Sequence, residues 1–116
     1  MHNFEKLDVY QRSLDISDYI YEITKKFPKE ELFLLVNQLR RAAVSVVLNI
    51  AEGSGRSKKD FAHFLNMSRT SAYECTAIAQ ICLRRRYITE SEYNKIYNDL
   101  EIIIKMINRL KESVNR

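Results

Sequence analysis

The sequence predicts an all-α protein, an antiparallel four-helix bundle with up-down-up-down topology. Its 116 residues include only one proline and two glycines, a composition that suits long helices and disfavours many tight β-turns. Four segments of about 20 residues carry apolar residues at helical spacing, with short breaks between them. Helices of that length joined by short connections pack side by side in alternating directions. We expect one domain, covering residues 1–116.

The first predicted helix covers about residues 7–26 and has two apolar stripes. One stripe runs from Leu7 to Tyr21 and is expected to face the core. Pro28 ends the helix, because it disfavours helical backbone at Phe27 and cannot donate a backbone hydrogen bond. The second stripe, on the opposite side, consists of Ile16, Ile20, Ile23 and Phe27.

The second predicted helix, about residues 30–52, is apolar nearly all round. Its core stripe includes Leu39, Val46 and Ile50, yet other apolar side chains project in different directions. A four-helix bundle covers one stripe of each helix, so a homo-oligomer is the economical way to cover the rest. The predicted oligomer interface combines this helix with the second stripe of the first: Phe33, Val36, Val44, Val47, Leu48, Ile16, Ile20 and Ile23.

The third and fourth predicted helices cover about residues 58–85 and 89–111. The middle of the third has small side chains on its apolar face, which predicts a close approach to a neighbouring helix. The fourth opens on a capping box, with Thr89 as N-cap and Glu92 three residues later. Ile88 and Tyr93 stand at the positions of a hydrophobic staple around this cap.

The segment NIAEGSGRSKKDF, residues 49–61, contains both glycines of the chain. It matches neither the P-loop nor the dinucleotide-binding pattern of glycines. A turn accounts for most of it, with Gly53 in a left-handed conformation after the second helix and Ser57 as the next N-cap. Its cations leave a second interpretation open, an anion site at the helix N-terminus. These cations are Arg56, Lys58 and Lys59.

The sequence offers little for catalysis, and we expect no enzyme activity, cofactor, metal or small-molecule substrate. It lacks the zinc-protease, paired-CxxC and nucleophile-elbow motifs. Cys75 and Cys82 are expected to be buried thiols. The carboxylates Glu52 and Glu74 are expected to form salt bridges. Without a signal-peptide pattern or a run of 18 uncharged apolar residues, a cytoplasmic protein without membrane association is expected.

The basic residues are the candidate binding groups. The formal net charge is +4, from 19 Lys and Arg against 15 Asp and Glu, which permits a polyanionic partner. In an up-down bundle, Arg84, Arg85 and Arg86 lie at one end, whereas Arg56, Lys58 and Lys59 lie at the other. Favourable interaction of the arginines with the helix dipole, and solubility, are the alternative explanations. An oligomer would multiply the charge at each end by the number of subunits.

Several stretches resemble one family. QLRRAAVSVVLNIAEGSGRS, residues 38–57, is similar to the hallmark of the 23S rRNA-intervening-sequence proteins, small bacterial four-helix bundles. LDVYQRSLD from Leu7, the Phe-Pro pair before the second helix, and SAYEC from Ser71 agree with it. The chain departs from the family at Thr70 and Arg86, where the family often has glycine.

The resemblance implies a ring, commonly a pentamer, and a role with nucleic acid by analogy. Related accessory proteins of diversity-generating retroelements are basic rings that work with a reverse transcriptase. The resulting hypothesis is a non-enzymatic homo-oligomer that binds RNA or a nucleoprotein mainly through phosphate contacts. A structural or adaptor module that binds another protein is the alternative. The predicted nucleic-acid-binding residues are Arg56, Lys58, Lys59, Arg84, Arg85 and Arg86.

Overall fold

Four long helices form a bundle with extents of 45 × 21 × 21 Å. The computed structural model describes residues 1–115, and the all-α class predicted from the sequence is confirmed. Short helical turns precede α1 and α2. The elements are a 3-10 helix (Asn3–Lys6), α1 (Asp8–Thr24), a 3-10 helix (Lys29–Glu31), a π-helical turn (Leu32–Val36), α2 (Asn37–Ser54), α3 (Lys58–Arg84) and α4 (Glu90–Val114).

Each long helix packs against two others, in the order α1, α2, α3, α4 and back to α1. The end of α1 meets the start of α4 through a salt bridge from Lys26 to Glu92. The middle of α3 meets the later half of α4, where Arg69 donates to Asn108 at 2.7 Å. The end of α3 meets the start of α4, where Gln80 donates to the Tyr93 hydroxyl. These contacts run in opposite senses along neighbouring helices and are consistent with the up-down-up-down order.

The prediction of which face of α1 is buried was wrong. Ile16, Ile20 and Ile23 are the core residues of this helix, and Ile20 has no exposed surface. Tyr21, which belongs to the stripe expected inside, is exposed. The three isoleucines are enclosed by the chain's own helices, so they are not available to the oligomer interface predicted for them. Aliphatic side chains fill the interior more fully than the tyrosines, whose hydroxyls favour water.

The start of the second helix is irregular. A 3-10 helix and a π-helical turn lead from Pro28 into α2, and they leave Leu32, Phe33 and Leu34 exposed. By length and composition, Lys29–Ser54 is the one segment within residues 1–115 apolar enough to cross a membrane. In the bundle this segment packs between α1 and α3. Core helices of bundles can be as long and as apolar as membrane-spanning helices, so its composition is explained by its place in the fold.

Two further residues of the predicted interface are also enclosed by the chain itself. Val36 and Val47 are buried in the monomer, at 2% and 7% exposure, so their assignment to an interface was wrong. Phe33 and Leu48 are exposed, and Val44 is half-buried. Only these last three remain available to a partner.

The interface between α2 and α3 is built from small side chains, as the sequence predicts. The Ser45 and Ser71 hydroxyls hydrogen-bond across it at 2.8 Å. Ser68 is fully buried and donates to the Val46 carbonyl, also at 2.8 Å. Cys75 lies on the same face of α3, and burial raises the pKa of its thiol to about 12. That thiol is therefore protonated and unreactive at neutral pH.

Gly53 has a different role from the one predicted. It lies within α2, and no glycine has a positive φ, so a left-handed conformation is not the reason for glycine. A β-carbon at Gly53 would meet the Phe64 Cβ at 2.6 Å and the Phe61 ring at 3.0 Å. Glycine is required here because α3 approaches the backbone of α2 directly. The predicted N-cap of α3 is confirmed, since Ser57 accepts from the Asp60 backbone N–H.

The end of α3 carries the backbone conformation expected of glycine, but at an arginine. Arg86 has φ 61°, in the left-handed region. Its N–H donates to the Leu83 carbonyl at 3.0 Å, and the Tyr87 N–H donates to the Cys82 carbonyl at 2.9 Å. This pair of bonds is a Schellman motif, in which the left-handed position is usually glycine. Arg86 is the only residue with a side chain that adopts a positive φ within residues 1–115.

The predicted capping box of α4 is confirmed. The Glu92 N–H donates to Thr89 Oγ1 at 3.1 Å, and the Thr89 N–H donates to Glu92 Oε1 at 2.9 Å. Lys26 Nζ donates to both carboxylate oxygens of Glu92. Burial alone would raise the pKa of Glu92, but the hydrogen bonds from Lys26 and Thr89 outweigh it and lower the pKa. The cap therefore also ties α1 to α4.

We expect Gly53→Ala to lower the free energy of unfolding by about 1–3 kcal/mol, because overpacking separates α2 from α3. Gly55→Ala is the matched control, since a β-carbon there meets nothing within 4 Å and its φ of −91° suits alanine. The control should be neutral or stabilising by up to about 1 kcal/mol. Urea denaturation followed by circular dichroism measures both. Equal effects of the two substitutions would contradict a close-approach role for Gly53.

We expect Arg86→Gly to raise the free energy of unfolding by about 0.5–1 kcal/mol. A left-handed L-residue costs roughly 1–2 kcal/mol, and glycine's greater freedom in the unfolded chain offsets part of that gain. Arg85→Gly is the control, because Arg85 has right-handed backbone. This variant should lower the free energy of unfolding by up to about 1 kcal/mol. Thermal melts of the two variants should therefore move in opposite directions. If Arg86→Gly instead lowers the free energy of unfolding, the prediction is wrong and the arginine side chain itself stabilises the fold.

Candidate nucleic-acid interface

The arginine end is the cationic surface formed at the C-terminus of α3 by Arg84, Arg85 and Arg86. It lies beside the end of α1 and the start of α4, because Lys26 and Arg86 line the same pocket. All three arginine side chains are exposed. Among residues 1–115, none of the three forms a salt bridge. Their guanidinium groups are therefore available to bind an anion.

The pocket at the arginine end is open and has a volume of about 410 Å³. Tyr87 is half-buried there and packs its ring 5.3 Å from that of Phe27. The Arg85 guanidinium lies 5.9 Å from the centre of the Tyr87 ring, within cation–π range. The pocket lining thus combines apolar residues with the two cations Lys26 and Arg86. Its lining is Lys26, Pro28, Arg86, Tyr87, Ile88 and Thr89.

The cations at the opposite end are not equivalent to one another. Arg56 forms a salt bridge with Glu52 and lies over the Phe64 ring at 5.0 Å. Hydrogen bonding to Glu52 and the charge of that carboxylate raise the pKa of Arg56. Lys58 and Lys59 are exposed and form no salt bridge within residues 1–115. The predicted cluster is therefore two available lysines and one arginine that already has a carboxylate partner.

Arg40 is a basic residue whose role could not be read from the sequence. Its Nε donates to Thr24 Oγ1 at 2.9 Å, and its Nη2 donates to the Tyr21 carbonyl at 3.2 Å. The guanidinium also lies 4.6 Å from the centre of the Tyr21 ring. Arg40 thus supplies hydrogen bonds to acceptors at the C-terminal end of α1 and is not a free surface cation. Only its adjacency to Arg41 was visible in the sequence.

The two carboxylates that were expected to form salt bridges, Glu52 and Glu74, lie on the surface. Glu52 is exposed and bound to Arg56. Glu74 is exposed and lines an open groove between α2 and α3 with Arg41 and Ile78. Within residues 1–115, no group of three or more His, Cys, Asp and Glu residues is placed to hold a metal ion.

An exposed apolar surface runs along the outer side of the second helical segment. Phe33 is 83% exposed and Leu48 is 60% exposed. A shallow pocket of about 450 Å³ is lined by Leu48 together with Tyr21 and Val44, whereas Phe33 lines the neighbouring groove. We call Phe33, Val44 and Leu48, together with Leu34, the outer apolar face. Exposed apolar side chains in this number are typical of an interaction surface.

Sequence reasoning missed the pocket at the arginine end. Pro28 and Tyr87 are far apart in the chain, and the bend after α3 brings them together. One sequence feature indicated this region: Arg86 occupies a position where the family that the chain resembles often has glycine. A large charged side chain at a position that favours glycine indicates a local constraint.

The comparisons with known proteins agree on one family. The family model of the 23S rRNA-intervening sequence protein matches residues 5–109. A crystal structure from Bacteroides thetaiotaomicron, of a protein with unknown function from the S23 ribosomal protein family, superposes with a TM-score of 0.82. The two are 28% identical, and the match covers 90% of this chain and 95% of the other. No curated protein matches significantly. The chain therefore belongs to the 23S rRNA-intervening sequence protein family.

Proposed function

We propose that this protein is a non-enzymatic homo-oligomer that binds RNA or a nucleoprotein through its arginine end. The observation that carries the proposal is the set of three adjacent exposed arginines without a carboxylate partner in residues 1–115. Arginine guanidinium groups bind phosphate oxygens in a bidentate manner. The family name is consistent with an RNA-linked role but does not assign one.

The six residues predicted to bind nucleic acid do not have equal support. Arg84, Arg85 and Arg86 present unpaired charge at one end. Lys58 and Lys59 present a smaller unpaired charge at the other. The charge of Arg56 is already offset by its salt bridge with Glu52, so we assign it the weakest contribution. We place the principal contact at the arginine end.

The homo-oligomer is proposed from the outer apolar face. Phe33, Val44 and Leu48 are the members of the predicted interface that the chain itself leaves accessible. Covering these side chains removes apolar surface from water, which stabilises an assembly by about 25 cal/mol for each Å² buried. Repetition of the arginine end in an assembly would raise avidity for a polyanion, because several contacts form at once. A ring, commonly a pentamer, is what the resemblance to the family implies.

A protein-binding adaptor is the second candidate function. Its support is the exposed run Leu32, Phe33 and Leu34, at a π-helical turn. Irregular turns of this kind are frequent at functional sites. In this alternative the outer apolar face binds a different protein, and the arginines serve solubility.

We expect Phe33→Asp and Leu48→Asp each to weaken self-association by about 10-fold or more, since a charge must be desolvated on burial. Ile102→Asp is the control, because Ile102 is similarly apolar and 40% exposed but lies on α4. Sedimentation velocity at micromolar concentration measures the assembly. A wild-type protein that sediments at 13.7 kDa, the mass of one chain, would contradict the homo-oligomer.

We expect the double variant Arg84→Gln and Arg85→Gln to weaken binding to a structured RNA and to reduce the salt slope of log K by about 2, or one per phosphate contact. The exposed pair Lys105→Gln and Arg109→Gln is the charge-matched control and should leave the slope unchanged. Filter binding over a series of salt concentrations measures both. Absence of RNA affinity at low salt would rule out the proposed function. An equal effect of the two double variants would exclude a local contact at the arginine end.

A further inference from the structure

We infer that the pocket at the arginine end accepts one unpaired nucleotide of a single-stranded RNA, with Arg86 bound to its phosphate. The inference rests on the proposed RNA-binding function and specifies which form of RNA is bound. It is carried by three features of one site: the size and lining of the pocket, the placement of Arg86, and the charge balance around Lys26.

The size and the lining of the pocket suit a partly polar ligand. Its volume of about 410 Å³ lies within the range of small-molecule sites, roughly 300–1,000 Å³. Pro28, Tyr87 and Ile88 supply apolar contact, and the polar Thr89 also lines the pocket. A base that is unstacked from its neighbours can lie against such a lining while its phosphate stays in water. A base within a duplex is stacked on both sides and cannot enter.

The Schellman motif that ends α3 holds Arg86 among the residues that line the pocket. The hydrogen bonds from Arg86 and Tyr87 back to Leu83 and Cys82 fix the left-handed backbone. Glycine would satisfy this geometry at a lower conformational cost. The arginine therefore retains a local strain at a position that lines the pocket. Strained backbone of this kind clusters at binding sites.

The charge balance leaves Arg86 as the cation of the pocket. Lys26 also lines the pocket, but its ammonium is bound to both carboxylate oxygens of Glu92. That pair is close to neutral, and Glu92 is held by the capping box as well. Arg86 has no carboxylate partner within residues 1–115. A single phosphate at Arg86 is therefore favoured, and a second phosphate beside Lys26 would be repelled by Glu92.

A direct test compares one RNA strand in two forms. The probe is a fluorescein-labelled strand of about 12 nucleotides, within the usual size of single-strand sites, used alone and annealed to its complement. Fluorescence anisotropy gives the affinity of the wild type for each form. We expect the single strand to bind about 10-fold more tightly. This preference should persist at raised salt, because base contacts do not depend on counterion release.

Arg86→Gly is the informative variant, because it removes the side chain while relieving the backbone strain. We expect it to reduce single-strand affinity about 10-fold, to leave duplex affinity within about 2-fold, and to keep the fold. Lys105→Gln, which removes an exposed charge from α4, should change neither affinity. Because Arg86→Gly is expected to be at least as stable as the wild type, a loss of RNA binding by this variant would not result from unfolding.

A photo-crosslinking arm locates the base directly. A strand containing 4-thiouridine is irradiated with the wild type and the complex is digested with trypsin, which cuts after Arg86 and Lys95. We expect crosslinks on the peptide of residues 87–95, which carries Tyr87, Ile88 and Thr89 of the pocket.

The outcomes separate the two proposals. If neither form of the RNA binds at low salt, the proposed function fails and this inference fails with it. If both forms bind equally, or Arg86→Gly weakens both by the same factor, RNA binding stands and the nucleotide pocket is wrong. Crosslinks confined to other peptides would also overturn the pocket.

Discussion

The close approach of α2 and α3 is the constraint on which the rest of the structure depends. Gly53 permits it, since a β-carbon there would meet the Phe64 Cβ at 2.6 Å. The hydrogen bonds that join Ser45 to Ser71 and Ser68 to Val46 then fix the relative position of the two helices. Once that position is set, the larger apolar side chains of α2 cannot all turn inward. Leu48 and Val44 are left on the outside by the same packing that buries Val46 and Val47.

Pairing determines which cations can act, and pairing depends on the packing of the helices. Arg40 caps the end of α1, and Lys26 and Arg56 are bound to Glu92 and Glu52. The three arginines at the C-terminus of α3 have no such partner in residues 1–115. In the sequence each of these residues belongs to a short cluster of basic residues, and nothing distinguishes one cluster from another. A net charge of +4 therefore says less about binding than the location of the unpaired part of it.

The sequence was most informative where the determining interactions are local. The capping box at Thr89 and Glu92 and the N-cap at Ser57 were predicted correctly, because each depends on residues within one helical turn. The buried face of α1 was predicted wrongly, because the helix has two apolar stripes and only the neighbouring helices decide between them. Gly53 was misassigned for the same reason, since a left-handed turn and a close helix contact both call for glycine. The pocket at the arginine end was not predictable, because it joins Pro28 to Tyr87 across the fold.

Arg86 connects the stability of the fold to the RNA binding that we propose. A left-handed backbone at an arginine lowers the free energy of unfolding. Such a loss is either tolerated or offset by another contribution of the residue. The contacts of the bundle supply no offset, because Arg86 is exposed and unpaired within residues 1–115. The capping geometry supplies none either, since a glycine would form the same backbone hydrogen bonds to Leu83 and Cys82. What glycine would not supply is a guanidinium beside the 410 Å³ pocket that residue 86 lines. In the proposed homo-oligomer that guanidinium would recur once per subunit, so a modest gain in affinity at each site would multiply along a single bound strand. Under that proposal, avidity in the assembly would balance the small loss of stability in each chain.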